Sequence, residues 1–205
     1  MFRCRVIVLV SFQLACVGAC ALPRLGGAPI VRFRGELTDP VGDTAGVGDP
    51  RVRRPADLVY ASVRVTDDEV RFNVRFAPGS FDPMTTSVML LLDTDIDSTT
   101  GVRGLGVGAD YAVSLEAQPV RHATVARAVI DANCRSTPCR YEPFEQANVV
   151  TSAHAMEAVV PRRAFTHFDG QANVRVVAFA SLDGGRRTIT SDHIPNLPMQ
   201  FMEVR

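Results

Sequence analysis

Strict alternation of apolar and polar residues in the segment 70–76 is the sequence feature that most constrains the fold. Its apolar positions are Val70, Phe72, Val74 and Phe76, and the positions between them are Arg71, Asn73 and Arg75. Successive side chains of a β-strand point to opposite faces, so a period of two predicts a half-buried strand. The segment 58–65 alternates in the same way towards its end. The polar residues 66–69 between the two segments predict a short hairpin loop.

Further β-rich segments follow along the chain. The run 88–92 is continuously apolar, which is typical of a central strand. Four more segments rich in β-forming residues lie at 111–115, 120–130, 149–160 and 174–182. Turn-forming residues such as Pro78-Gly79 separate them, and only 161–165 suits one short helical turn. This pattern predicts an all-β domain, an antiparallel β-sandwich of the jelly-roll-like kind.

The N-terminal residues have the layout of an export signal. Arg3 and Arg5 form a positive start, 6–17 is an apolar run, and small residues follow it. The run is shorter than the roughly 20 apolar residues that span a bilayer. Pro and Gly residues then predict a tether. We therefore divide the chain into a signal peptide at 1–19, a tether at 20–37 and a β-sandwich binding domain at 38–205.

Cysteine usage predicts how the exported chain is processed. Val17-Gly18-Ala19-Cys20 is similar to a bacterial lipobox, in which the cysteine becomes the lipidated first residue. Cys134 and Cys139 are close enough in sequence to form a local disulfide, which leaves Cys20 without a partner unless it is lipidated. The prediction is a cell-envelope lipoprotein with Cys20 lipidated. Ordinary cleavage after Ala19 or Ala21, giving a periplasmic or secreted protein, is the alternative.

Charge argues against nucleic acid as a partner. The chain has 22 basic and 22 acidic residues, and loss of Arg3 and Arg5 leaves a small negative net charge. Nucleic-acid binding depends on clustered basic residues. Every basic residue is arginine, but the sequence contains no basic run. We therefore expect no basic patch, and membrane contact only through an N-terminal lipid.

The segment 93–101 is the strongest candidate for a binding site. It places Asp93, Asp95 and Asp97 at alternate positions directly after the apolar run 88–92. Calcium takes six to eight oxygen ligands, largely carboxylates and carbonyls. The second half of the loop is not that of an EF-hand, so a ligand from elsewhere is needed, and Asp110 is the best candidate. The sequence thus predicts a calcium site formed by Asp93, Asp95, Asp97 and Asp110. A solvated turn with aspartates capping backbone amides is the alternative.

Catalytic patterns are missing from the sequence. The histidines are scattered, and the chain has neither a His-Glu-x-x-His pair nor a Gly-x-Ser-x-Gly elbow. We therefore expect a protein that is not an enzyme.

Four short motifs, taken in order, resemble exported bacterial DOMON-like domains and family 9 carbohydrate-binding modules. They are Asp39-Pro40-Val41-Gly42-Asp43, Leu91-Leu92-Asp93-Thr94-Asp95 with Thr100-Gly101, Gly108-Ala109-Asp110-Tyr111, and Ser191-Asp192-His193-Ile194-Pro195-Asn196. The resemblance implies an antiparallel β-sandwich that binds a ligand, with sugars the commonest class and haem a second. It also implies a structural calcium ion.

These features predict an exported, lipid-anchored and non-catalytic binding module, stabilised by calcium, with carbohydrate as its ligand. The alternative is a structural or protein-interaction lipoprotein of the cell envelope that binds no small molecule. The absence of Trp and the presence of only three Tyr favour this alternative, because sugar-binding sandwiches usually hold sugar rings on aromatic platforms.

Overall fold

The protein is described by a computed structural model that covers residues 31–44, 55–104, 107–116, 122–129, 139–166, 168, 170–182, 187–195 and 202–205. Within these ranges every pair of strands is antiparallel. Their single helical element is the 3-10 turn Arg162–Ala164, at the place where one short turn is expected. The predicted all-β, antiparallel sandwich fold is therefore confirmed.

Thirteen strands are present in the described residues. They are β1 Phe33–Thr38, β2 Leu58–Val65, β3 Glu69–Phe76, β4 Thr86–Asp93, β5 Val102–Gly104, β6 Val107–Ala109, β7 Tyr111–Glu116, β8 His122–Val129, β9 Arg140–Thr151, β10 Ala155–Pro161, β11 Ala172–Leu182, β12 Arg187–Ile194 and β13 Met202–Val204.

Two sheets form the sandwich and share strand β9. The first sheet has the order β1-β2-β3-β10, and the second has the order β8-β7-β4-β11-β12. Residues 140–148 of β9 pair with β8, whereas residues 149–151 pair with β10. At the other edge, Arg34 and Arg205 each donate a backbone N–H to the other's carbonyl oxygen, at 2.9 and 3.2 Å. The sheets are thus joined along both edges and form a nearly closed structure.

The core lies between the two sheets and follows the alternation seen in the sequence. Val70, Phe72 and Val74 are fully buried, whereas Arg71 and Arg75 are exposed on the opposite face of β3. Each fully buried large apolar side chain contributes roughly 1.5–3 kcal/mol. In the apolar run of β4, Leu90 and Leu92 are buried on one face and Leu91 on the other, whereas Met89 is half-buried.

Strand β1 lies inside the predicted tether, so among the described residues the sandwich already includes Phe33, before the predicted boundary at residue 38. Phe33 and Leu37 pack against the core. A Cβ atom on Gly35 would lie 2.5 Å from the carbonyl oxygen of Glu203, so glycine allows β1 to approach β13 closely. The Pro and Gly residues that indicate a tether in the segment 20–37 lie mostly before the strand.

The predicted signal peptide and Cys20 lie outside the described residues, as does Cys134. Among the residues that the structure describes, no helix has the length and apolar character needed to cross a membrane.

A hairpin covers part of the outer face of the second sheet. Strands β5 and β6 pair with each other and not with the main sheets. Val107 and Ala109 of this hairpin form a small buried cluster with Leu91 of β4 and Ala112 of β7. The sequence patterns predict no strand in this part of the chain. The hairpin brings Asp110 back to the end of β4.

Candidate metal centre

Three aspartates meet where β4 ends and β7 begins. Asp93 is the last residue of β4, and Asp95 lies two residues further on in the loop 94–101. Asp110 lies between β6 and β7, and its backbone N–H donates to the carbonyl oxygen of Leu92 at 2.8 Å. Carboxylate oxygens of Asp93, Asp95 and Asp110 all lie within 4.8 Å of one another. The structure therefore brings together three of the four predicted calcium ligands.

Hydrogen bonds hold these carboxylates in place. The backbone N–H of Thr94 and its hydroxyl both donate to Oδ2 of Asp110, each at 2.8 Å. The backbone N–H of Asp97 donates to Oδ1 of Asp93 at 3.1 Å and to Oδ1 of Asp95 at 3.0 Å. These donors fix the directions of the side chains before any cation binds.

Asp97 is placed differently from the other three predicted ligands. Its Oδ1 accepts hydrogen bonds from the backbone N–H of Thr99 at 2.9 Å and from the Thr99 hydroxyl at 2.6 Å. The hydroxyl bond and then the backbone bond to Thr99 lower the pKa of Asp97 below its usual value. In this geometry the Asp97 carboxylate caps the turn, and its backbone N–H serves the other aspartates. Alternation in sequence could not distinguish these two roles.

Burial makes the cluster electrostatically unfavourable without a cation. Asp93 is only 1% exposed. Its burial, followed by its hydrogen bond with Asp95 and repulsion from Asp95 and Asp110, raises the pKa of Asp93 to about 6. The side chain of Asn173, with Nδ2 3.5 Å from Oδ2 of Asp93, lowers the pKa of Asp93 and so offsets part of this rise.

The donor set fits a hard divalent cation. All of the converging atoms are carboxylate oxygens, which calcium and magnesium prefer, and nearby negative charges are relieved by an opposite charge among them. Calcium tolerates irregular geometry better than magnesium does, so a cluster built partly from a loop suits calcium.

An open cleft adjoins the cluster. Its walls include Thr94, Asp95, Asp110, Tyr111 and Thr166. The Tyr111 and Thr166 hydroxyls lie 3.1 Å apart, within hydrogen-bonding distance.

A second acidic cluster is not evident in the sequence. Asp39, Asp43 and Asp192 also have carboxylate oxygens within 4.8 Å of one another. Asp192 is fully buried and accepts the backbone N–H of Leu58 at 2.7 Å and of His193 at 2.8 Å. Burial raises the pKa of Asp192 to about 7, despite these bonds, and repulsion from Asp39 and Asp43 adds to the rise. These three residues belong to the first and the last of the four motifs named above. The two motifs are far apart in sequence, so the sequence alone does not indicate that their side chains meet.

The predicted disulfide stays a prediction, because Cys134 is not among the described residues. Cys139 is described, and its backbone N–H donates to the carbonyl oxygen of Val129 at 3.2 Å.

Comparison with known proteins finds no matching family model and no matching curated protein. The resemblance to DOMON-like and family 9 carbohydrate-binding domains therefore stays a prediction from the four motifs.

Proposed function

We propose that the protein is an exported, lipid-anchored and non-catalytic β-sandwich binding module, that a calcium ion bound by Asp93, Asp95 and Asp110 stabilises it, and that its ligand is a carbohydrate. The observation that supports the calcium site most strongly is the convergence of three carboxylates at the end of β4. One of them, Asp93, is almost completely buried.

Calcium in this position would join three separate parts of the chain. Asp93 belongs to a central strand, Asp95 to the loop after it, and Asp110 to the connection between β6 and β7. A cation shared by these residues would fix the loop 94–101 against the end of the second sheet. This role is structural, which fits a binding module that presents a rigid surface.

Thermal unfolding with calcium or with a chelator tests the metal site. A ligand that binds only the folded state stabilises it by RT ln(1 + [L]/Kd), about 2.7 kcal/mol at a hundredfold excess over Kd. We expect calcium to raise the melting temperature of the wild-type protein. Asp95→Asn should abolish this rise, since it removes the negative charge of a ligand.

Asp97→Asn is the matched control for that experiment. It removes the same charge from the same loop, but an amide oxygen can still accept the hydrogen bonds from Thr99. We expect it to keep the calcium response. An unchanged melting temperature of the wild-type protein at millimolar calcium would contradict the metal site, and equal loss in both variants would contradict the assignment of the ligands.

Lipid anchoring and the disulfide need separate tests. Replacing Cys20 with Ser should move the protein from the membrane fraction to the soluble fraction and remove incorporation of a labelled fatty acid. Retention of both properties in Cys20→Ser would favour a different anchor. Cys134 and Cys139 should both resist alkylation until a reductant is added, and free reactive thiols at these positions would contradict the pairing.

A further inference from the structure

The segment 94–110 lies on the outer face of the second sheet without joining either main sheet. It consists of the acidic loop 94–101 and the β5–β6 hairpin, and the structure describes its residues 94–104 and 107–110. The two hairpin strands pair with each other and with no strand of the main sheets. Detachment of the segment would therefore break no pairing between the strands of the sandwich.

The hairpin covers a small apolar cluster that is separate from the main core. Two of its residues come from β6 and four come from β4, β7 and β9 beneath it: Val107, Ala109, Met89, Leu91, Ala112 and Tyr141. Opening of the segment would expose these side chains to water, so the hydrophobic effect favours the closed position. The contribution is small compared with that of the main core, because it grows with the apolar area that is buried.

Hydrogen bonds at the base of the segment form its second attachment. Thr94 is 5% exposed, and its backbone N–H and hydroxyl both donate to Oδ2 of Asp110. The backbone N–H of Asp110 donates to the carbonyl oxygen of Leu92. Thr94 and Asp110 are the first and the last residue of the segment, so their contact holds both of its ends at β4.

The acidic loop and the hairpin are packed backbone against backbone. A Cβ atom on Gly101 would lie 2.6 Å from the carbonyl oxygen of Ala109, and one on Gly108 would lie 2.8 Å from that of Asp97. Contacts this close leave no space for the hairpin to shift against the loop. We therefore expect the loop and the hairpin to move together, as one unit.

Repulsion between carboxylates acts against the closed position. The closed segment holds Asp95 and Asp110 with carboxylate oxygens within 4.8 Å of those of Asp93, which is almost completely buried. Opening would carry Asp95 away from β4 and would bring water to Asp93. Like charges in a buried position are unfavourable, and a cation between them removes this cost. Neutralisation of these charges therefore decides how stable the closed position is.

We propose that the segment 94–110 is a lid that calcium closes and that opens as a unit when calcium is removed. Opening exposes the apolar cluster on the outer face of β4 and β7 while the two sheets stay folded. This inference rests on the proposed calcium site and adds a conformational change that the site controls. With calcium bound the lid is fixed, which agrees with the rigid surface of the proposed binding module.

Hydrogen exchange of the purified protein, followed amide by amide by NMR, tests the proposal. With chelator present, we expect the hydrogen-bonded amides of the lid to share one protection factor, at least tenfold lower than that of the amides in β3. A common value is the sign of a unit that opens cooperatively. Millimolar calcium should slow exchange in the lid at least tenfold. Exchange in the hairpin loop 66–69 should not change, because its fluctuations do not involve the cation.

Thr94→Val tests the attachment at the base of the lid, and Thr66→Val is its matched control. Each variant replaces a buried threonine that directly follows a strand, and each removes a hydroxyl that bonds within or across the following loop. With chelator present, Thr94→Val should speed exchange in the lid about fivefold or more. Thr66→Val should speed exchange at 66–69 and leave the lid unchanged, because opening of the lid breaks no contact of Thr66.

Three results would overturn the proposal. They are a lid that exchanges as slowly as β3 with chelator present, a lid whose exchange calcium does not slow, and equal acceleration of the lid in Thr94→Val and Thr66→Val. The first and third results would mean that the segment opens only when the whole domain unfolds. A rise in melting temperature with calcium in the same samples would then leave the metal site intact. If calcium changes neither the melting temperature nor the exchange of the lid, the metal site fails together with the lid.

Discussion

Thr94 donates two hydrogen bonds to a single oxygen of Asp110, one from its backbone N–H and one from its hydroxyl, each at 2.8 Å. The two residues are separated by the whole acidic loop and the β5–β6 hairpin. Their contact therefore joins the two ends of the segment 94–110. It also orients the Asp110 carboxylate towards Asp93 and Asp95.

Replacing Asp110 with Ala should weaken the domain even without calcium. The change removes both acceptor contacts of Thr94, and a hydrogen bond to a charged group contributes about 1.5–3 kcal/mol. Relief of repulsion on Asp93 offsets part of that loss. We expect a net loss of about 1–2 kcal/mol in the free energy of unfolding, measured in urea with chelator present, and a further loss of the calcium response.

Asp68→Ala is the control for this prediction. Asp68 is exposed, so its substitution should change stability by less than about 0.5 kcal/mol. Equal stability of the two variants would contradict a structural role for the Thr94–Asp110 contact.

Gly108 should be sensitive to the addition of one methyl group. A Cβ atom there would lie 2.8 Å from the carbonyl oxygen of Asp97 and would also contact the backbone of Thr100. Backbone atoms cannot rotate away, so Gly108→Ala must move the hairpin away from the acidic loop. We expect a higher calcium concentration for half-maximal stabilisation in thermal unfolding.

Gly79→Ala provides the comparison for this prediction. Gly79 has a φ of 79°, and a Cβ atom added there would have no other atom within 4 Å, so its substitution has a conformational cost only. It should lower stability without changing the calcium concentration required. An unchanged calcium requirement in Gly108→Ala would show that the hairpin and the loop are not coupled.

Ile96 has a left-handed backbone conformation with a φ of 57°, and its side chain is 51% exposed. This conformation is unfavourable for a β-branched residue and costs about 1–2 kcal/mol. Asparagine tolerates it much better. We expect Ile96→Asn to stabilise the protein by about 1 kcal/mol in urea unfolding, whereas Val41→Asn, at another exposed apolar position, should have little effect. A destabilising Ile96→Asn would mean that the isoleucine side chain makes a contact that outweighs the backbone cost.

The fold was predictable because its signal is local. Alternation at 70–76 and the apolar run 88–92 each reflect one strand and the face that it buries, so they could be recognised without knowing the neighbouring strands. The β5–β6 hairpin has only three residues in each strand, which is too short for a periodic pattern to appear.

The candidate sites depend on which strands become neighbours, and the sequence does not contain this information directly. Asp93 and Asp95 were recognisable as one loop, but the turn-capping role of Asp97 depends on where Thr99 lies. Asp39 and Asp192 meet because the two ends of the domain are adjacent in the fold.

Asp192 should make stability depend on pH. Its pKa is about 7 in the folded protein, because burial disfavours the charged carboxylate, against about 3.9 in an unfolded chain. Between these values the folded state binds the proton and the unfolded state does not, so stability falls as pH rises from about 4 to about 7. The slope for one such group is at most about 1.4 kcal/mol per pH unit. Asp93 contributes in the same direction because its pKa is also raised.

The Asp192 contribution is therefore the difference between the wild-type protein and Asp192→Asn, measured by urea unfolding at several pH values with chelator present. Asparagine can still accept the Leu58 N–H, so the variant should fold and show a flatter decline. If its curve runs parallel to that of the wild-type protein, Asp192 does not titrate in this range, and the hydrogen bonds from Leu58 and His193 would then outweigh the effect of burial on its pKa.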